Sequence, residues 1–553
     1  MSSTSDPREE PDIAFPRLSE SQIAELERFA SRRSLRDGES LFEAGARRGG
    51  FFVVLSGALE IVDSSAGEPR TVAVHEPGEF TGDIDILRRR RPVVSAVARG
   101  DTEVLEVPPA DIRRIIGGQP ALGELILRAF VARRDQLVAS GFQGVRVIGS
   151  GHSRDAYRIR EFLTRNQVQV TWIDTDEDPA VGELVRSFGL DEQAMPAVVC
   201  AGQPLLRNPS TRELAEAIGL RRPVGRELYD LVIVGAGPAG LGAAVYAASE
   251  GLNTLVLEGV APGGQASAST RIENYLGFPM GVTGAELTGR ATLQAQKFGA
   301  HFSTPSRVAE LETDGPHLIV RLDDGEAATA RSVLIATGAD YRKLDVPGRD
   351  RFDGLGVYYA ATPMELGGCR GATVVLVGAG NSAGQAAMFL AQHVRRVVMV
   401  VRGGDMRASM SSYLVERIEA SEGIEVLYHT EVRRMEGGDR LERVEVENTR
   451  TDERRAIDAP AVFTFIGAVP RTDWVPPQLE TDAKGFVRTG RALASSPRWT
   501  RARQPFPLET SQPGVFAAGD VRLDSVKRVA SAVGEGAMAV TFVHEYLAEA
   551  AGQ

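Results

Sequence analysis

Two short stretches constrain this chain more than any other feature. In each, a β-rich apolar run leads straight into a glycine fingerprint that opens a helix. The first is Leu231–Val234, followed by Gly235-Ala236-Gly237-Pro238-Ala239-Gly240 and an alanine-rich helix to about Glu250. The first glycine of such a fingerprint permits a tight turn. The second lets the backbone approach a pyrophosphate, and the third lets helix and strand pack closely. The phosphates then meet free N–H groups at the helix N-terminus. A glycine-rich turn without a ligand is the bland alternative. Against it stands a second strand, Thr254–Leu257, which ends in Glu258, 18 residues after Gly240. An acid at that spacing suits a ribose 2′-hydroxyl.

The second fingerprint is Gly378-Ala379-Gly380-Asn381-Ser382-Ala383, between the strand Thr373–Val377 and the helix Ser382–His393. Its sixth position is alanine, an accepted variant. The next strand, Val397–Val401, ends in Arg402 rather than an acid, and Arg407 lies about one turn on. Cations there suit the 2′-phosphate of NADP better than the free 2′-hydroxyl of NAD, the alternative being ordinary surface charges. Two fingerprints imply two dinucleotides. FAD with a nicotinamide is the common pair, because a flavin accepts a hydride and passes electrons on.

The rest of the chain sets bounds. Its 553 residues predict three to five domains, and 43% hydrophobic with 25% charged residues is ordinary globular composition. The longest apolar runs fall well short of the ~20 residues of a membrane span. The net charge of −11 argues against a nucleic-acid reader, and the dense basic run Arg88-Arg89-Arg90-Arg91 reads as solvated surface. Two cysteines, Cys200 and Cys369, exclude a disulfide framework and a cysteine-rich zinc site; no metal site is expected. They fit a reducing cytosol, and the polar stretch Met1–Pro11 reads as a tail rather than a signal peptide.

Residues 15–140 read as short strands, Gly50–Leu55, Ala58–Val62, Thr71–Val74, Val93–Ala98 and Glu103–Val107, with turns at Ser56-Gly57, Gly67 and Pro77-Gly78. A helix over Leu122–Val138 follows. Residues 141–222 alternate: strand Val145–Gly149, helix Asp155–Arg165, strand Val168–Asp174, helix Pro179–Phe188, strand Ala197–Cys200, helix Thr211–Ile218. That rhythm predicts an α/β unit with a partly parallel sheet. Arg221–Gly225 reads as a linker.

From about Tyr229 the chain resembles the low-molecular-weight bacterial thioredoxin reductases. Matching pieces keep order and spacing. They are Gly235–Gly240 with Glu258, Gly263-Gly264-Gln265, Ile272-Glu273-Asn274-Tyr275-Leu276-Gly277, Ala336-Thr337-Gly338, Gly378–Ala383, Thr464–Gly467 with Pro470, and Gly514–Asp520. The resemblance implies a homodimer with an FAD domain in two segments, 226–343 and 467–553, and an inserted NADPH domain, 344–466. It places Gly264, Gln265, Asn274, Thr337, Gly338, Gly519 and Asp520 along FAD, with Asp520 on the ribityl chain. Gly378, Gly380, Asn381, Ser382 and Ala383 would lie along NADPH. One departure matters. The family's Cys-Ala-Thr-Cys is replaced by Ala360-Ala361-Thr362-Pro363, while Gly356-Val357-Tyr358-Tyr359 keeps the register. Cys369 has no partner nearby. Tyr358 and Tyr359 would lie near the flavin and could line an acceptor pocket or simply pack.

Residues 141–222 resemble a thioredoxin or glutaredoxin fold: Met195-Pro196 precedes a strand, with Gly202 and Leu214 downstream. The active place reads Gly151-His152-Ser153-Arg154-Asp155, without cysteine. The arrangement resembles the flavoprotein subunit of alkyl hydroperoxide reductase stripped of its thiols. Residues 15–140 resemble a cyclic-nucleotide-binding domain through Glu79–Leu87. The resemblance assigns Gly82 and Asp83 to ribose and phosphate, but the family's arginine is absent or displaced to Arg91. The expected architecture is therefore multidomain: a β-roll with helices, a thioredoxin-like α/β module and two Rossmann-like domains. The expected function is an NADPH-oxidising flavoprotein oxidoreductase, thioredoxin-disulfide reductase-like but passing electrons to an unidentified acceptor. Candidates are a separate disulfide, a small thiol disulfide, a quinone or ferredoxin. The last is disfavoured, since ferredoxin reductases of this architecture carry an aromatic C-terminal extension and Gln553 follows soon after the helix Ala537–Leu547. The alternative is a nucleotide- or redox-sensing flavoprotein with little turnover.

Overall fold

The computed structural model describes residues 13–551 apart from 47–49, 65–68, 83–85, 88–90, 140–143, 152, 177–194, 201–202, 226, 270, 360 and 362–364. The chain forms two compact units. One comprises Met1–Gly225, Ala247–Ala261 and Thr292–Arg307; the other comprises Arg226–Tyr246, Pro262–Ala291 and Val308–Gln553.

The first unit begins with an antiparallel sheet in which Phe51–Asp63 lies between Ser95–Val107 and Arg70–His75. Ser31–Leu35 and Ser40–Phe42 both pair with Ser95–Val107. Two sequence expectations are corrected here. Gly50–Leu55 and Ala58–Val62 are one strand, and so are Val93–Ala98 and Glu103–Val107. Ser56-Gly57 is not a turn but an irregularity in the ladder, with register shifts at Val54/Ser56 and Ser56/Ala58. Gly57 has φ +76, and a Cβ there would meet Asp101 O at 2.6 Å. A left-handed glycine serves a bulge as well as it serves a turn. Thr102 Oγ1 closes the irregularity, accepting from Ala58 N at 3.2 Å and donating to Ala58 O at 3.0 Å.

The helices Pro109–Gly118 and Pro120–Ala139 bury Ile112, Ile115, Ile116, Leu122, Ile126 and Phe130 against Phe51 and Phe80. Among the described residues no single helix is long and apolar enough to cross a membrane; this bent pair passes the length and composition test only when its two helices are taken together. Next comes a four-stranded sheet. Val170–Asp174 runs parallel to Val145–Gly149, which is antiparallel to Ala197–Val199, itself antiparallel to Leu206–Arg207. Helices Arg154–Arg165 and Thr211–Ala217 supply Ile159, Phe162, Leu163 and Leu214 to its core, where Cys200 is also buried. The expected helix Pro179–Phe188 lies outside the described residues. This unit also holds the parallel pair Thr254–Leu257 and His301–Ser303.

His75 ends its strand in this unit only 3% exposed, with Nδ1 3.6 Å from Glu79 Oε2. Burial, with Arg133 adding to it, holds its pKa below the ordinary value, and Glu79 opposes the shift. The unfolded chain therefore binds a proton below about pH 6.5 that the folded unit resists, so stability falls as pH drops through that value. Glu79, whose pKa is lowered, loses its contribution only in more acid solution. Urea unfolding read by amide exchange in Phe51–Asp63 should show a loss of about 1 kcal/mol between roughly pH 6.5 and 5.5. His75→Gln should flatten that slope; an unchanged slope would refute the assignment.

In the second unit, Leu228–Val234 runs parallel to Ala327–Ile335, which is parallel to Val515–Ala517 and antiparallel to His317–Leu322. Between leaving and rejoining this sheet the chain builds a second, all-parallel one. Its order is Val357–Tyr358, Val462–Thr464, Thr373–Val377, Arg396–Val401, Ile424–Tyr428. The antiparallel ribbon of Ala339–Tyr341 and Ala468–Pro470 marks the two crossings. After Thr373 the run Val-Val-Leu-Val to Val377 is apolar throughout and buried, because both faces of a parallel sheet are covered.

Candidate functional site

The first fingerprint lies at the carboxyl end of Leu228–Val234, as the sequence predicts. Gly235 has φ +102, and a Cβ on it would meet Ala336 O at 2.4 Å. Gly240 is tighter, since its Cβ would fall 1.9 Å from Gly235 O. Gly237 differs: nothing lies within 4 Å of a Cβ placed there. Two of the three glycines are thus required by the protein's own packing, and the middle one is not. Around this turn the structure gathers the other sequence-predicted pieces of the same unit. Gly263 N donates to Ala236 O at 2.7 Å, and a Cβ on Gly264 would stand 3.0 Å from Gly237 Cα. Gln265 Nε2 donates to Ala339 O. Thr337 Oγ1 donates to Arg471 O at 2.9 Å, and Gly338 has φ +66. A Cβ on Gly519 would lie 2.9 Å from that of Ala239. Burial raises the Asp520 carboxyl's pKa, and Lys527 pulls it down. Pro238 starts the helix Pro238–Ser249. Asn274 stands exposed in the loop before Leu276, which is 92% exposed. Glu258 belongs to the first unit, where it ends Thr254–Leu257 and accepts from Val260 N through Oε1 at 2.9 Å.

The residues present fit a dinucleotide: an open middle glycine at a helix start, with the neighbouring strand ends converging on it. Sequence reasoning missed Glu535, which holds the far wall. Its Oε2 accepts from Gly519 N at 2.7 Å, and its Oε1 pairs with Arg522 Nη2 at 2.6 Å. No local pattern marks such a partner 16 residues away.

The second fingerprint repeats the scheme. Gly378 has φ +142 and its Cβ would meet Phe465 O at 2.4 Å, whereas nothing lies within 4 Å of a Cβ on Gly380. Ala383 is fully buried. The helix is Asn381–Leu390, so Ser382 sits in its first turn. Thr464 ends the adjacent strand, opposite Val377, with its hydroxyl buried and without a hydrogen-bond partner among the described residues. The loop after Arg396–Val401 is tied to this turn: Asn381 Oδ1 accepts from Ser411 N at 2.7 Å, and Ser409 Oγ donates to Ala379 O at 2.8 Å. That loop carries Arg402 and Arg407, both exposed.

Tyr358 packs on Phe463, with ring centroids 5.5 Å apart, and burial drives its phenol pKa upward. Burial, reinforced by Asp353, pushes Tyr359 up to about 12. Ala360, Thr362 and Pro363 lie outside the described residues; Ala361 is buried. Cys369 is 2% exposed, donates Sγ–H to Glu365 O at 3.2 Å, and is pushed up to about 11 by burial. Cys200, in the first unit, is likewise pushed up to about 11.

In the N-terminal cassette, Asp83 lies outside the described residues. Gly82 has φ +108, and its carbonyl accepts from Arg133 Nη1 at 2.9 Å. Arg133 is 9% exposed, donates Nε to Ala14 O at 2.6 Å, and lies 4.6 Å over the Phe80 ring. Arg91 Nη1 donates to Gly45 O at 3.1 Å. His152 lies outside the described residues.

The family model described as pyridine nucleotide-disulphide oxidoreductase matches residues 229–536, and a cyclic nucleotide-binding domain matches residues 32–118. The thioredoxin reductase of Mycolicibacterium smegmatis is 36% identical over 322 residues, covering 58% of this chain and 97% of that protein. That of Treponema pallidum (strain Nichols) is 35% identical over 321 residues, with 58% and 97% covered. Among solved structures, Lactococcus lactis thioredoxin reductase in its FR conformation superposes with a TM-score of 0.53 at 28% identity, covering 58% of this chain and 99% of that one. The T. acidophilum thioredoxin reductase gives 0.52 at 28% identity, covering 57% and 98%.

Proposed function

The chain belongs to the pyridine nucleotide-disulphide oxidoreductase family, and on that premise we propose that it oxidises NADPH through FAD and passes the electrons to an acceptor reached without a dithiol of its own. The carrying observation is the repeated glycine geometry: in both fingerprints the outer contacts are closed by protein, and the middle glycine faces open space. FAD, when bound, supplies hydride acceptance and onward electron transfer. The chain's own part is binding and orientation. Gly237 and the N-terminal turn of Pro238–Ser249 would present N–H groups to one pyrophosphate, and Gly380 with Asn381–Leu390 to the other. Arg402 and Arg407 would hold the 2′-phosphate by charge-assisted hydrogen bonds. Ala360-Ala361-Thr362-Pro363 holds no thiol. The packing of Tyr358 and Tyr359 supports a structural role; an acceptor-lining role rests on their sequence position.

Adding NADPH without oxygen should bleach the flavin absorbance. NADH should act at least ~10-fold more slowly, and replacing Arg402 and Arg407 by alanine should erase most of that gap. Equal wild-type rates with both donors would refute the assignment to these arginines. A yellow protein that keeps its colour under excess NADPH would favour the sensing alternative.

Four parts, 15–140, 141–222, 226–343 with 467–553, and 344–466, remain our division of the chain. A thioredoxin-like module at 141–222 is supported by the mixed sheet and its flanking helices. Cyclic-nucleotide binding at the N-terminal domain is supported by the family match, but weakened by the engagement of Arg91 with Gly45 O. A homodimer in the cytoplasm is proposed on the resemblance and the scarcity of cysteine.

A further inference from the structure

Arg407 already has an occupant. Its Nη1 and Nη2 donate to Glu419 Oε1 and Oε2, each at 2.8 Å. Its backbone N–H donates to Asp405 Oδ1 at 2.8 Å, which sets the local turn. The partner is fixed in place, because Glu419 is the last residue of the helix Ser412–Glu419, whose Leu414, Val415 and Ile418 are buried. The arginine's loop is fixed too, by the bonds from Ser409 and Ser411 to Ala379 and Asn381. Arg402, by contrast, makes no side-chain hydrogen bond or ion pair among the described residues. Arg407 holds the Glu419 carboxyl below its ordinary pKa, so the pair is ionised at neutral pH.

A carboxylate and a phosphate both take the two parallel N–H groups of a guanidinium. They cannot take the same two at once. We propose that Glu419 is a specificity-determining residue that competes with the 2′-phosphate for Arg407 and so lowers the preference for NADPH over NADH. This rests on the reading that Arg402 and Arg407 receive that phosphate. NADH, with a 2′-hydroxyl, leaves the pair intact. The side chains of Arg407 and Glu419 are 52% and 44% exposed, which keeps the competition modest. A pair of this kind changes an equilibrium by roughly two- to fivefold.

The test uses the full chain and two fragments, adenosine 2′,5′-bisphosphate and adenosine 5′-monophosphate, titrated by calorimetry. The ratio of their affinities isolates the 2′-phosphate. Glu419→Gln and Glu419→Ala should each raise that ratio about threefold, leave the monophosphate unchanged, and lose the effect at high salt. Arg407→Ala should lower the ratio in the wild type and in Glu419→Gln alike. An unchanged ratio in both Glu419 variants, with Arg407→Ala still lowering it, would overturn the role of Glu419 alone. A ratio indifferent to Arg407→Ala would overturn the phosphate reading and this proposal together.

Discussion

The Gly237→Val protein should be folded and colourless. Among the described residues beyond its immediate chain neighbours and the adjoining helix backbone, nothing lies within 4 Å of a Cβ at that position, so the protein itself has room for a branch there. The branch would occupy the side from which a pyrophosphate approaches. Losing two charge-assisted hydrogen bonds at ~1.5 kcal/mol each weakens binding roughly 100-fold. The wild type should carry one FAD per chain, measured as the ratio of flavin to protein absorbance. Gly240→Val supplies the contrast. Its Cβ would stand 1.9 Å from Gly235 O, so the strand–helix corner itself must move, costing about 3 kcal/mol or more. That variant should lose thermal stability even when FAD is added in excess. A yellow Gly237→Val protein, or a wild type that cannot be reconstituted with FAD, would refute the site.

With thioredoxin as acceptor, turnover should stay at background, and replacing both cysteines by serine should leave NADPH oxidation intact. A disulfide relay requires two thiols in contact. Cys369 and Cys200 belong to different units, are 2% and 5% exposed, and have thiols pushed up to about 11. Roughly one molecule in 10,000 would carry either thiolate at neutral pH. Serine keeps a donor for Glu365 O at position 369, so the local hydrogen bond survives. Steady-state NADPH consumption with oxygen or a quinone reads the result. A double variant that keeps its FAD and loses that activity would establish a thiol route.

The strands bearing the fingerprints were legible because short apolar runs next to glycine have few other readings. Leu231–Val234 lies within the observed Leu228–Val234, and Thr373–Val377 appears with the expected ends. Ser56-Gly57 was misread because a positive φ is shared by turns and bulges, and what decides between them is the opposite strand, here Thr102. The site's glycines were visible, yet which of them the protein needs for itself was not. That depends on carbonyls from Ala336 and Phe465, far away in the chain. Glu535 under Gly519, Glu419 on Arg407 and Arg133 on Gly82 are all side chains reaching across the fold, and no periodicity announces them.

The return of the chain to the mixed sheet of Leu228–Val234 also sets an order of manufacture. Val515–Ala517 pairs with Ala327–Ile335, Glu535 then holds Gly519, and a Cβ on Gly536 would already touch Ala239 O at 2.0 Å. The wall of the first fingerprint is therefore complete only after the whole inserted sheet has been synthesised. The inserted sheet, drawn from one continuous stretch, can close by itself while the ribosome is still working. If the second fingerprint takes the nicotinamide dinucleotide, as proposed, a nascent chain would complete that pocket before the flavin's. On that order, a shortage of FAD would leave chains with the inserted sheet closed and the proposed flavin site unfilled.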